Sequence, residues 1–151
     1  MAPGDLQEHV RTILSRPTTL GPPAIPGPER PRLQAFDGEA TIECGQNTVR
    51  LINIGEHSAH AFSYVVFYFP ALGLLFEDDL GYFPVNGAAR LSPRLAGLAE
   101  QLAAHEIKPK RLIQAWPVRN VVREVEWSTV AKLIADDEER KGRPPAATPG
   151  P

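Results

Sequence analysis

The chain has 151 residues, 42% of them apolar, and a net charge of −2 with Lys and Arg spread among the acids. That suffices for one modest domain with a single core, and it excludes a chain disordered throughout and a basic stripe that tracks nucleic acid. No apolar run reaches membrane-spanning length, the N-terminus shows no secretory pattern, and the lone Cys44 excludes an internal disulfide, so a cytoplasmic protein is expected.

In chain order, Leu6, Val10, Ile13 and Leu14 recur at helical spacing, which predicts a helix within residues 1–16, stopped by Pro17. Residues 17–32 are dense in proline and read as a linker. Residues 33–36 and 39–43 read as two strands folded back on each other through Asp37-Gly38, a strong hairpin signal. Cys44, at the end of the second, is expected to pack as a small apolar residue. Further strands are expected at 48–54, 62–69 and 72–76, then a loop over 81–91. The 62–69 strand is apolar or aromatic on both sides, as in a strand covered on both faces.

A helix over 93–105 follows, with Ser92 as N-cap, Pro93 at the first helical position, and Leu95, Leu98, Ala99 and Leu102 inward. A short strand at 110–115 precedes a last helix over 126–140, with Val130, Leu133 and Ile134 inward. Residues 141–151, with four prolines, read as a disordered tail. The order describes an α+β (α/β layered) domain over 33–140: one mixed sheet with helices on one face. The other face, carrying Val65, Phe67 and Phe69 or their alternates, is left apolar and uncovered by anything in the chain.

One stretch carries a more specific pattern. His60 is followed, after seven residues, by Tyr68-x-Pro70; the apolar strand after it ends in the acidic run Glu77-Asp78-Asp79. This resembles the second half of metallo-β-lactamase-fold hydrolases, in which a His opens a strand ending in Tyr-x-Pro and an Asp closes the next strand. The resemblance covers roughly residues 33–134. It implies half of an αββα sandwich. It also implies a dinuclear metal site, usually zinc, in which His60 matches a ligand His and Asp79 the bridging Asp. The chemistry wants these types: neutral imidazole binds zinc well, a carboxylate can bridge two cations, and the metals lower the pKa of bound water.

Two departures follow from the same comparison. The family's first ligand cluster, His-x-His-x-Asp-His, has no counterpart here; the histidines are His9, His57, His60 and His105. Trp116 falls where the family has its last ligand His, and an indole N–H offers no lone pair to a metal. His57 and Asp78 are the possible substitute ligands, although adjacent strand residues such as Asp78 and Asp79 point to opposite faces. Taken alone, His60 reads as a polar residue at a strand start, His57 as a surface loop residue, and His105 as a helix C-terminal residue favoured by the dipole.

The expectation is a hydrolase-like half-domain with an incomplete, vestigial metal site, inactive alone, with zinc held weakly or not at all. The alternative is an interaction module that uses its apolar sheet face in a homo-oligomer or against a complementary half-domain. Neither nucleic acid nor membrane is expected as partner.

Overall fold

A computed structural model describes residues 1–15, 33–115 and 119–142 of the chain. The expected linker 17–32, Trp116, and the tail from residue 143 lie outside the described residues. Strand β1 (Ala2–Pro3) and helix α1 (Gln7–Ser15) open the chain, and β2 (Ala35–Phe36) pairs with β1 in parallel. The main sheet has six strands in sequence order: β3 (Glu39–Cys44), β4 (Asn47–Asn53), β5 (Val65–Phe69), β6 (Leu74–Glu77), β7 (Arg111–Gln114) and β8 (Glu124–Glu126). All neighbours are antiparallel except β6 and β7, which are parallel and joined across helix α2 (Pro93–Ala104). Helix α3 (Trp127–Gly142) closes the described fold and runs two residues past the expected end at 140. The expected α+β mixed sheet is therefore what forms.

Side chains alternate between the faces of a strand, and the registers turn that alternation into rows. One row crosses the sheet as Arg50–Tyr68–Leu75–Leu112–Val125. Its apolar members join Ile52 and Val66 in a core with Leu95, Leu98 and Leu102 of α2 and Val130 of α3. Both helices thus cover the same face, as expected. The row on the other face is Ala40–Leu51–Phe67–Phe76–Ile113–Glu124. Phe67, Phe76 and Ile113 there are only half-buried, and the two phenylalanines meet edge to face at 6.1 Å.

Three expectations change. Asp37-Gly38 does not fold β2 back onto β3: β2 belongs to the small sheet with β1, while Glu39 pairs with Ile52. The hairpin lies one strand later, where β3 and β4 meet around Gly45-Gln46. A turn signal marks a change of direction, and the available partner strand decides what pairs. Cys44, at that hairpin end, is exposed rather than packed. The strand expected over 62–69 begins only at Val65, because the residues before it form a loop.

Local chemistry fixes the ends of these elements. Pro70–Leu72 makes one 3₁₀ turn, and Gly73, at φ 59°, takes the left-handed conformation that returns the chain into β6. Ser92 caps α2 as expected, its Oγ accepting from Leu95 N–H at 3.1 Å, with Pro93 next. The helix ends on Glu106, left-handed at φ 55°, with Ile107 N–H reaching back to Leu102 O at 2.8 Å. That is a Schellman ending, and Leu102 and Ile107 are both buried beside it. His105 sits at this end. Its Nδ1 lies 3.2 Å from Glu39 Oε2, and Arg50 grips the same carboxylate through Nε at 2.5 Å and Nη2 at 2.9 Å. Arg50 foremost, with His105 beside it, holds the Glu39 carboxyl below the ordinary carboxylate range. This tie anchors the edge strand β3 to the helix.

Gly97 is where α2 meets the loop before β5. A Cβ there would stand 1.8 Å from the backbone oxygen of His57. Gly97→Ala should therefore push α2 off that loop and cost about 1–3 kcal/mol, as over-packing does elsewhere. Chemical denaturation of the variant measures it; an unchanged midpoint would show that the loop can yield.

Candidate functional site

The register gathers three strand pairings at one end of the sheet. Asn53 pairs with Val65, Glu77 with Gln114, and Ile113 with Glu124. The loop 54–64 and the segment 78–92 therefore leave the same edge, where β7 ends at Gln114 and β8 begins at Glu124, and α2 begins beside them. Ser92 Oγ also donates to Leu80 O at 3.3 Å, which seats the start of α2 on the segment after β6.

Two short side chains shape the 54–64 loop. Asn53 Oδ1 accepts from Gly55 N–H and Tyr64 N–H, both at 3.1 Å, closing the base of the loop. Ser58, buried, accepts at Oγ from His60 N–H at 3.1 Å and Ala61 N–H at 3.0 Å, and donates to Ala61 O. Ala59 between them is left-handed, at φ 48°. These bonds project His60 from the loop toward the segment after β6.

There it meets Asp79. His60 Nε2 stands 3.2 Å from Asp79 Oδ2, so the two residues singled out by spacing come together. The other partners of Asp79 were not foreseen. Arg94, in the first turn of α2, reaches the same Oδ2 at 3.2 Å and the Asp79 backbone oxygen at 3.4 Å. Tyr64 donates its hydroxyl to Oδ1 at 3.2 Å and accepts at the same oxygen from Asp78 N–H at 3.1 Å and Asp79 N–H at 3.0 Å. A phenol has one proton and two lone pairs, and this one uses all three. Burial holds the Tyr64 hydroxyl above its ordinary pKa, so it stays a neutral donor. The His60 and Tyr64 rings pack edge to face at 6.0 Å.

Glu77, the last residue of β6, is buried beside Gln114. Its carboxyl accepts from Leu80 N–H at 2.6 Å and Gly81 N–H at 3.4 Å. Burial pushes its pKa up to about 7 against the pull of those two bonds, with Asp79 and Asp78 adding to the rise. Gln114 donates to Val122 O, while its Oε1 finds no partner among the described residues. Ala115 N–H binds Glu77 O at 3.1 Å, which ties the end of β7 to the acidic run one residue before position 116.

The substitute ligands do not complete a set. His57 and Asp78 are exposed, and among the described residues no three His, Cys, Asp or Glu side chains are grouped so as to hold a metal ion. Among the described residues no helix is long and apolar enough to cross a membrane.

No family model matches the chain, and no curated protein does. Among solved structures it is similar to an archaeal metallo-β-lactamase superfamily protein from Sulfolobus tokodaii, at 17% identity and TM-score 0.48, over 78% of this chain and 44% of that one. It is similar to a metallo-β-lactamase from Pontibacter korlensis, at 18% and 0.45, over 68% and 48%. A third is rubredoxin oxygen:oxidoreductase from the anaerobe Desulfovibrio gigas, at 14% and 0.46, over 70% and 32%. The chain spans less than half the length of each.

Glu77 supplies a test of the site's electrostatics. Its folded pKa lies above the ordinary value of 4.5, so the fold favours the protonated form. The stability this adds is fully present below about pH 4.5 and is lost as pH rises through about 7. Glu77→Gln carries no charge and should flatten that slope, although it gives up one acceptor. Denaturation midpoints compared across this range decide it; a variant whose slope equals that of the parent would show that another group titrates.

Proposed function

We propose that the chain is a metallo-β-lactamase-like half-domain with an incomplete metal site, which does not hydrolyse substrates on its own. The observation that carries this reading is the ligand count. A catalytic zinc takes about three protein ligands and a water. Of the family pattern, only His60 and Asp79 meet here. The sequence holds no His-x-His-x-Asp-His cluster, and Trp stands at 116. The residues present thus do not fit a dinuclear zinc centre, and no hydrolytic step is assigned to one. The chain keeps the scaffold and the second-half signature of such a hydrolase and lacks most of its donors.

A second reading concerns what the scaffold is kept for. The half-exposed row Phe67–Phe76–Ile113 runs across three strands on the face away from the helices. Stacking that face on a second copy, or on a complementary half-domain, would bury it and give two layers of sheet between two layers of helix. A cytoplasmic setting suits an exposed, unpaired Cys44.

Elemental analysis of untagged protein, with mass in solution measured on the same sample, tests both readings. Well under one zinc per chain is expected, together with a dimer that Phe67→Glu dissociates. One or two zinc ions per chain would overturn the incomplete site. A monomer at high concentration would remove the homodimer.

A further inference from the structure

Resting on the incomplete metal set proposed above, we infer that Arg94 is the resident cation of Asp79. The guanidinium takes the place at that carboxylate that a divalent metal would need, and the cluster acts as a clasp between loop and helix rather than as a dormant metal site.

The argument starts from the occupancy of the carboxylate. Oδ1 receives the Tyr64 hydroxyl, and Oδ2 is shared by His60 Nε2 and Arg94 Nη1. His60 and Asp79 are also the two side chains that a metal would have to use. An ion seated between them would sit against a guanidinium, which keeps its positive charge throughout the accessible pH range. Like charges at contact distance repel, most strongly where water is partly excluded. Asp79 is only 23% exposed.

Arg94 is held in place from its backbone outward. Pro93 fixes the entry to α2, Ser92 caps it through Leu95 N–H, and Ser92 Oγ ties the same turn to Leu80 O. The guanidinium then binds both the side chain and the backbone oxygen of Asp79. One carboxylate so joins the middle of the 54–64 loop through His60, its last residue before β5 through Tyr64, and α2 through Arg94. Three consecutive acids, Glu77, Asp78 and Asp79, crowd this edge, and a fixed cation offsets their repulsion without a metal.

The test is a double-mutant cycle combined with zinc titration, on the full untagged chain. Arg94→Gln and Asp79→Asn should each lower the melting temperature by roughly 3 °C, and the double variant should fall no further than the worse single. Zinc, followed by calorimetry, should bind Arg94→Gln at least about tenfold more tightly than the parent. The gain should vanish when His60→Ala is added. Arg94→Lys, which keeps the charge, should still turn zinc away. Additive losses in the cycle would overturn the clasp, and equal zinc affinity in parent and Arg94→Gln would overturn the exclusion. Tight, stoichiometric zinc in the parent would sink the incomplete-site reading itself, a different result from an additive cycle without zinc.

Discussion

The period of two along the strands is the constraint on which the rest of this fold depends. Ile52, Val66, Tyr68, Leu75 and Leu112 are buried because they fall on one face and α2 and α3 lie over it. Slipping any strand by one residue would move its whole buried set to the open face and bring the other set under the helices. For β5 that slip would exchange Val66 and Tyr68 for Val65, Phe67 and Phe69, with a different volume beneath Leu98 and Leu102. Burial thus selects one register. The register in turn decides which loops share an edge, and so decides that His60 and Asp79 can touch.

At that edge the governing quantity changes from apolar area to charge. Glu77, Asp78 and Asp79 are consecutive, and carboxylates so close cannot all stay ionised in a partly dry place without compensation. The chain handles them in two ways. Glu77, with two backbone N–H donors and no cation, is pushed toward its neutral form. Asp79 has the Arg94 guanidinium and the Tyr64 hydroxyl. Tyr64 is the hinge between the two halves of this arrangement. Its oxygen accepts from the backbone N–H groups of Asp78 and Asp79 and its hydroxyl donates a hydrogen bond to the Asp79 carboxylate, so one side chain shapes the turn after β6 and places its charge.

What the sequence revealed and what it hid divide along the same line. Elements that bury a face were legible, because burial leaves a period: α2 with its Ser92-Pro93 start, α3, and the apolar strands β5 and β6. The meeting of His60 and Asp79 was also legible, from the spacing of a His, a Tyr-x-Pro turn and an acid at the next strand end. Arg94 was not. An Arg in the first turn of a helix stands where the dipole favours acids, and nothing in its own sequence neighbourhood announces a carboxylate fifteen residues back. Asn53 and Ser58 were hidden for a related reason: their work is to satisfy loop N–H groups, which depends on how the loop folds. The Asp37-Gly38 hairpin failed because pairing is a property of two strands, and β2 found its partner in β1.

The open face and the charged edge bear on each other. In a sandwich of two halves, the second sheet covers the apolar row and its loops complete the donor set at the shared edge. On the half-domain reading proposed above, both demands fall on the chain's own residues or on another copy. The charge demand is met internally, since Arg94 supplies a cation to Asp79. The apolar demand has no comparable answer among the described contacts of Phe67, Phe76 and Ile113, which remain half-exposed around one aromatic pair. Exposed apolar rows of this kind are tolerated on interfaces and selected against elsewhere. On the reading proposed above, a half that neutralises its own site yet keeps an apolar sheet face suits association more than chemistry. The two features are separable, since the row of Phe67, Phe76 and Ile113 and the cluster of His60, Tyr64, Asp79 and Arg94 share no side chain.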